Sequence, residues 1–109
     1  MDRRNWTYPE IEQPKEDDLR VWWIPQIPGK PFLVPVKDVE YAKFLLVALA
    51  KYDLFQLYFD IKPDYSNAGG LEVFSGGEWS DWWDKDGNDI NEVMRAEATK
   101  AKEGPRPNS

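Results

Sequence analysis

Five acidic side chains crowd one short stretch near the C-terminal end: Asp81, Asp84, Asp86, Asp89 and Glu92. Oxygen ligands at this density are what a calcium loop needs. With Gly87 at the sixth position of an EF-hand loop, Asp84 and Asp86 fall on the third and fifth. The first position is then Trp82 and the twelfth Val93. Both ends of the ligand set fail, and the stretch reads as a solvated turn followed by a helix cap. Glu72, Glu78, Asp81 and Asp84 also stand among tryptophans, and paired carboxylates beside stacking rings are the equipment of a glycosidase. A chain of 109 residues has little room for a deep cleft. The carboxylate-hydrolase reading, with Glu78 as the residue to test, therefore ranks below a non-catalytic one.

The missing residue types exclude more than the present ones suggest. There is no Cys and no His. Thiolate nucleophiles, disulfides and Cys-ligated metal sites are excluded, as are Ser-His-Asp and Cys-His catalysis. No cofactor and no metal site is expected. The net charge of −6 argues against a phosphate backbone or an anionic membrane as partner. An acidic surface suits a basic patch on another protein, or simply keeps the chain soluble. The N-terminus has no apolar core behind it, unlike a signal peptide, and the expectation is a cytoplasmic protein in whichever cell makes it.

Aromatic residues supply the other candidates. The chain holds six Trp, including the pairs Trp22-Trp23 and Trp82-Trp83, with Trp79 nearby. Adjacent strand residues face opposite sides, so each pair should send one ring inward and one outward. Which ring of each pair faces out is not decided by the alternation; Trp23 and Trp82 are the rings to replace as a test, with loss of binding expected if they face outward and loss of the fold if they lie in the core. Exposed Trp among acids suits a protein interface or a carbohydrate platform, and packing beneath neighbouring segments is the bland alternative. The stretch 64–70 joins Asp64, Tyr65 and Asn67 to Gly69 and Gly70. It lacks Lys and the Walker spacing, so it is no phosphate loop. It reads as a demanding connection or as a shaped binding loop.

The elements that must carry these residues follow from periodicity and breakers. Residues 1–19 form an acidic, Pro-interrupted arm, read as flexible. Strands are predicted over 21–24 and 32–36, with a Pro-rich turn over 25–31 between them. Asp38 caps a helix whose apolar residues Ala42, Leu45, Leu46 and Leu49 recur at helical spacing, while Tyr41, Phe44 and Val47 widen its apolar surface. Such a helix is wrapped by the domain or offers a side to a partner. It is predicted to end at Tyr52-Asp53, and the alternation in 54–61 predicts a strand. Strands over 71–75 and 78–83 flank a Gly76-Gly77 turn. Asp89 and Glu92 have capping-box spacing for a second helix reaching about Lys102. The tail 104–109 is read as disordered. The fold class is α+β: a small, mostly antiparallel sheet with the main helix packed on one face, all within a single domain over 20–103.

Several strings are distinctive. Arg20-Val21-Trp22-Trp23-Ile24-Pro25-Gln26-Ile27-Pro28-Gly29-Lys30-Pro31-Phe32 and Tyr52-Asp53-Leu54-Phe55-Gln56 resemble a group of short phage and prophage proteins. Ile61-Lys62-Pro63-Asp64-Tyr65-Ser66-Asn67-Ala68-Gly69-Gly70-Leu71-Glu72-Val73 and Gly77-Glu78-Trp79-Ser80-Asp81-Trp82 extend the likeness, which spans roughly residues 20–84. Some of that group carry a superinfection-exclusion name. The resemblance implies a phage-encoded accessory protein acting in the bacterial cytoplasm, and it carries over no catalytic residue. Small size, acidity, excess Trp and the lack of catalytic equipment favour a non-catalytic protein that binds a host or rival-phage protein. A small-ligand or carbohydrate module using Trp22, Trp23, Trp79, Trp82 and Trp83 is the alternative. A homodimer through the apolar helix or a strand edge stays open.

Overall fold

The computed structural model describes residues 13–61 and 66–103. The bulky run Leu19–Ile24 forms β1, and Phe32–Val36 forms β2. The remaining elements are α1 (Val39–Tyr58), β3 (Ala68–Ser75), β4 (Glu78–Asp81) and α2 (Ile90–Glu103). The strands lie in the order β2-β1-β3-β4, and every neighbouring pair is antiparallel. The architecture is the expected α+β one, with α1 on one face and a second helix at the C-terminal end.

β1 is central and sets the phase of the sheet. Val21 and Trp23 share one parity and both are buried. They join Val36, Leu71, Ala42, Leu46 and Ile90 in the core between sheet and helices. Each large apolar side chain withdrawn there contributes about 1.5–3 kcal/mol. Arg20 and Trp22 point to the opposite face, where Leu33 lies across from Trp22. Arg20 pairs with Glu72 at 2.8 Å and stacks its guanidinium 4.2 Å from the Trp79 ring.

The register places Trp22 opposite Gly70 and Trp23 opposite Gly69. A Cβ at Gly69 would stand 2.2 Å from the Trp23 ring, and one at Gly70 would stand 2.6 Å from the Trp22 indole nitrogen. Both indoles thus lie across bare backbone, one on each face. This corrects one expectation and decides an alternative that the alternation left open. Ala68, Gly69 and Gly70 belong to β3 rather than to a loop, because the rings need strand pairing directly beside them. Trp23 is an inward ring, because it shares its parity with Val21.

The predicted strand over 54–61 is also corrected. Helix α1 continues to Tyr58. No Gly or Pro lies between Asp53 and Tyr58 to stop it. The β alternation had no buried face to serve, since Phe55 and Phe59 are both exposed. The helix ends in a Schellman arrangement: the Asp60 N–H donates to the Leu57 carbonyl and the Ile61 N–H to the Gln56 carbonyl. Asp60 takes the left-handed position at φ 60°. At the other end the Tyr41 N–H donates to the Asp38 carboxylate at 2.8 Å.

Lys43 ties the two helices together, reaching Glu97 on α2 at 2.8 Å and Glu40 at 2.9 Å. Glu97 foremost, with Glu40, holds the Lys43 ammonium above the usual lysine range. The capping box forms as expected: the Glu92 N–H donates to Asp89 at 2.8 Å and the Asp89 N–H to Glu92 at 3.0 Å. Gly76 and Gly77 take positive φ at the β3–β4 turn. β4 is shorter than expected, ending at Asp81, although the Trp82 N–H still donates to the Leu71 carbonyl. Of the acidic arm, residues 1–12 lie outside the described residues, as does the tail 104–109. The described part runs beside β3: Asp17 and Asp18 exchange backbone hydrogen bonds with Phe74, and Glu16 accepts from Ser75 and Gly76.

The turn before α2 is built by Asp84, whose carboxylate accepts the N–H groups of Asp86 and Asn88, each at 2.9 Å. Among the described residues no group of three or more acidic side chains is placed to hold a metal ion.

Two outcomes follow from this packing. Gly69→Ala should lower stability by about 1–3 kcal/mol, because the Trp23 ring must move; an unchanged urea midpoint would overturn the close-approach argument. The Asn88 amide foremost, with that of Asp86, holds the Asp84 carboxyl below the ordinary 3.8. A depressed folded-state pKa stabilises above the unfolded value, and that contribution is lost as pH falls through the folded value. In an NMR titration the Asp86 and Asn88 amide signals should therefore move together at a pH below 3.8. A midpoint at or above the ordinary value would contradict the turn assignment.

Candidate functional site

Trp22, Trp23, Asn67 and Gly69 come together at the open end of the sheet, where β1 and β3 meet α1 and the start of α2. They line a cleft of about 590 Å³ with Leu46, Val47, Ala50, Lys51, Ala68, Asn91 and Met94. Its walls are mainly apolar. Asn67, Asn91 and Lys51 supply the polar groups. Gly70 lies behind it, under the Trp22 ring.

One buried carboxylate organises the inner wall. Asp53 is 2% exposed, the buried charged residue among those described. Its Oδ2 accepts the Trp23 indole N–H at 3.0 Å and the Asn67 amide N–H at 2.9 Å. Strand β1, helix α1 and the segment entering β3 are thus joined at one atom. Asn91 adds α2 by donating to the Gly69 carbonyl at 2.8 Å. On the far side of Trp23 and Asp53 lies a second hollow of about 340 Å³, bordered by Pro25, Phe32, Leu49, Tyr52 and Gln56.

The other candidates do not converge there. Trp79 lies on the helix-free face, edge-on to Phe74 at 5.3 Å and beneath Arg20. Trp82 packs against the core, so it is the inward ring of its pair, and Trp83 is 54% exposed. Alternation says the two rings of a pair diverge, but not which one goes in. Asp64 and Tyr65 lie outside the described residues.

Sequence reasoning missed Asp53, Lys51, Asn91 and Met94. Asp53 had a signal. It stands seven residues after Leu46 and eleven after Ala42, on the buried side of the same helix, where an acid needs a partner. Reading Tyr52-Asp53 as the helix end hid that spacing.

Asp53→Ala should cost about 2–3 kcal/mol, since it leaves the buried Trp23 N–H without this acceptor. Asp53→Asn, which keeps one carbonyl oxygen, should cost less. Urea unfolding with an unchanged slope measures both, and a wild-type midpoint for Asp53→Ala would remove it from this role.

Comparison with known proteins adds a family to this geometry. No helix among the described residues is long and apolar enough to cross a membrane. No solved structure matches the chain. The superinfection exclusion protein of Salmonella phage P22 is 40% identical, in an alignment covering 76% of this chain and 98% of that protein. A family model described as superinfection exclusion gene product 17 matches residues 18–100, which takes in every strand and nearly all of α2. On both grounds the chain belongs to the superinfection exclusion gene product 17 family of phage proteins.

Proposed function

We propose that the chain acts in superinfection exclusion by binding a host or rival-phage protein, with an apolar side chain of that partner seated in the cleft beside Trp23. The carrying observation is the cleft itself, at about 590 Å³, with apolar walls and three polar groups at its edge. Interfaces gain most of their energy from a few buried anchors in such pockets. Asp53 and Asn91 hold the walls through hydrogen bonds between elements. Little ordering cost then remains at docking. The reading is non-catalytic: the partner is occupied rather than transformed. The volume also falls within the range of about 300–1,000 Å³ for small-molecule sites, which keeps a ligand as the second reading.

A photo-crosslinking residue in place of Asn91, with a second at the distant Lys85 as control, separates the two. Cells expressing each form are challenged with a superinfecting phage. The expected result is one protein adduct from position 91 and none from 85, together with loss of exclusion in Asn91→Trp, which fills the cleft mouth. Phage should then plate as on cells lacking the chain. Full exclusion by a folded Asn91→Trp variant would overturn the proposal. A small-molecule adduct without a protein one would favour the second reading.

A further inference from the structure

The outer face of α1 is the largest feature that the cleft does not use. Tyr41, Phe44, Tyr52, Phe55, Tyr58 and Phe59 are exposed there, from 45% at Tyr41 to 79% at Tyr58. At about 200 Å² for a full aromatic side chain, they leave roughly 700 Å² in water. Val47, Leu54 and Ile61 border them and are also exposed. The largest apolar patch on a typical monomer is about 300–600 Å². A stable interface takes about 800 Å² from each partner.

We propose that this face is the interface of a homodimer, in which the α1 helices of two copies pack antiparallel about a two-fold axis. The area is what one half of such an interface supplies. Tyr41, Phe44, Ala48, Tyr52, Phe55 and Phe59 follow three- and four-residue spacing down one side of the helix, the pattern of a helix–helix seam. Ala48 puts a small side chain at mid-seam, where two backbones approach closest. A two-fold interface must be self-complementary, and this face meets that condition because it is nearly uncharged. Lys51 is its exposed charge between Tyr41 and Phe59.

The rings are also set before any partner arrives. Phe55 and Phe59 lie 4.8 Å apart, Tyr58 and Phe59 5.1 Å, and Tyr52 stacks on Phe55 at 6.4 Å. Pre-packed rings lose little freedom on association. A lipid surface fits less well. Interfacial helices carry Lys and Arg along their polar side, whereas the ends of this face carry Glu40 and Asp60 on a chain of net charge −6.

Sedimentation equilibrium of the full chain at micromolar concentration tests the proposal. The expected mass is twice 12.8 kDa. Phe55→Glu/Phe59→Glu, and separately Tyr58→Glu, should return the single-chain mass with unchanged circular dichroism. Because the chain has no cysteine, Ala48→Cys gives a readout independent of the charged variants. At mid-seam it meets its own copy and should form an interchain disulfide on mild oxidation, whereas Tyr52→Cys, displaced from its copy by about 12 Å of helix rise, and Lys85→Cys should not. A monomeric wild type would overturn the proposal, as would a dimer that survives the glutamate substitutions or the absence of a disulfide in Ala48→Cys. A monomer that dimerises only after removal of residues 1–12 would assign the face to that segment. A monomer that floats with phosphatidylcholine/phosphatidylglycerol vesicles would assign it to lipid.

Discussion

Two tryptophans lying across two glycines hold this fold in register. Trp22 and Trp23 face Gly70 and Gly69 in the ladder between β1 and β3. Their rings approach the backbone more closely than any Cβ would permit. A one-residue slip would exchange the two faces and set one indole against the side chain of Ala68 or Leu71 in place of a glycine. The same contact fixes both sides of the sheet. Trp23 completes the core beneath α1, and Trp22 closes over the helix-free face.

Asp53 extends that constraint to the helix. An acid on the buried side of an apolar helix is costly unless it finds donors. Here the donors are the Trp23 indole and the Asn67 amide. The helix is thereby pinned at one rotation and one height on the sheet. Ala42 and Leu46 can then point inward along with Asp53. The rest of the apolar surface of α1 must point outward, because the sheet is too narrow to wrap it. The exposed aromatic face is thus a consequence of packing a helix that is apolar all round on one side only.

The molecule consequently presents two surfaces of different character. The cleft is built from four elements and has polar groups at its edge, which suits selective recognition. The outer face of α1 is broad, aromatic and nearly uncharged, which suits association with its own kind. Val47 and Lys51 stand where the two meet. The net charge of −6 resides largely outside both.

Much of the architecture was legible in the sequence. Asp38, the Asp89–Glu92 pair and Gly76-Gly77 are local devices whose hydrogen bonds close within a few residues, so their types and spacing suffice. The absence of Cys and His likewise restricts the chemistry without any fold. The segment 54–61 was not legible, because Phe55, Leu57 and Phe59 alternate as a strand does while Phe55 and Phe59 also stand one helical turn apart, and only the uninterrupted turn of α1 decided between them. The phase of each Trp pair was not legible either. Alternation determines that neighbours diverge, while the choice of which ring enters the core depends on Val21, on the facing glycines and on the helix above them. The cleft gathers residues from positions 22 to 94 around one carboxylate. Such a site exists only once the sheet register brings β1, β3, α1 and α2 to one place, since no local spacing encodes contacts between segments so distant in the chain.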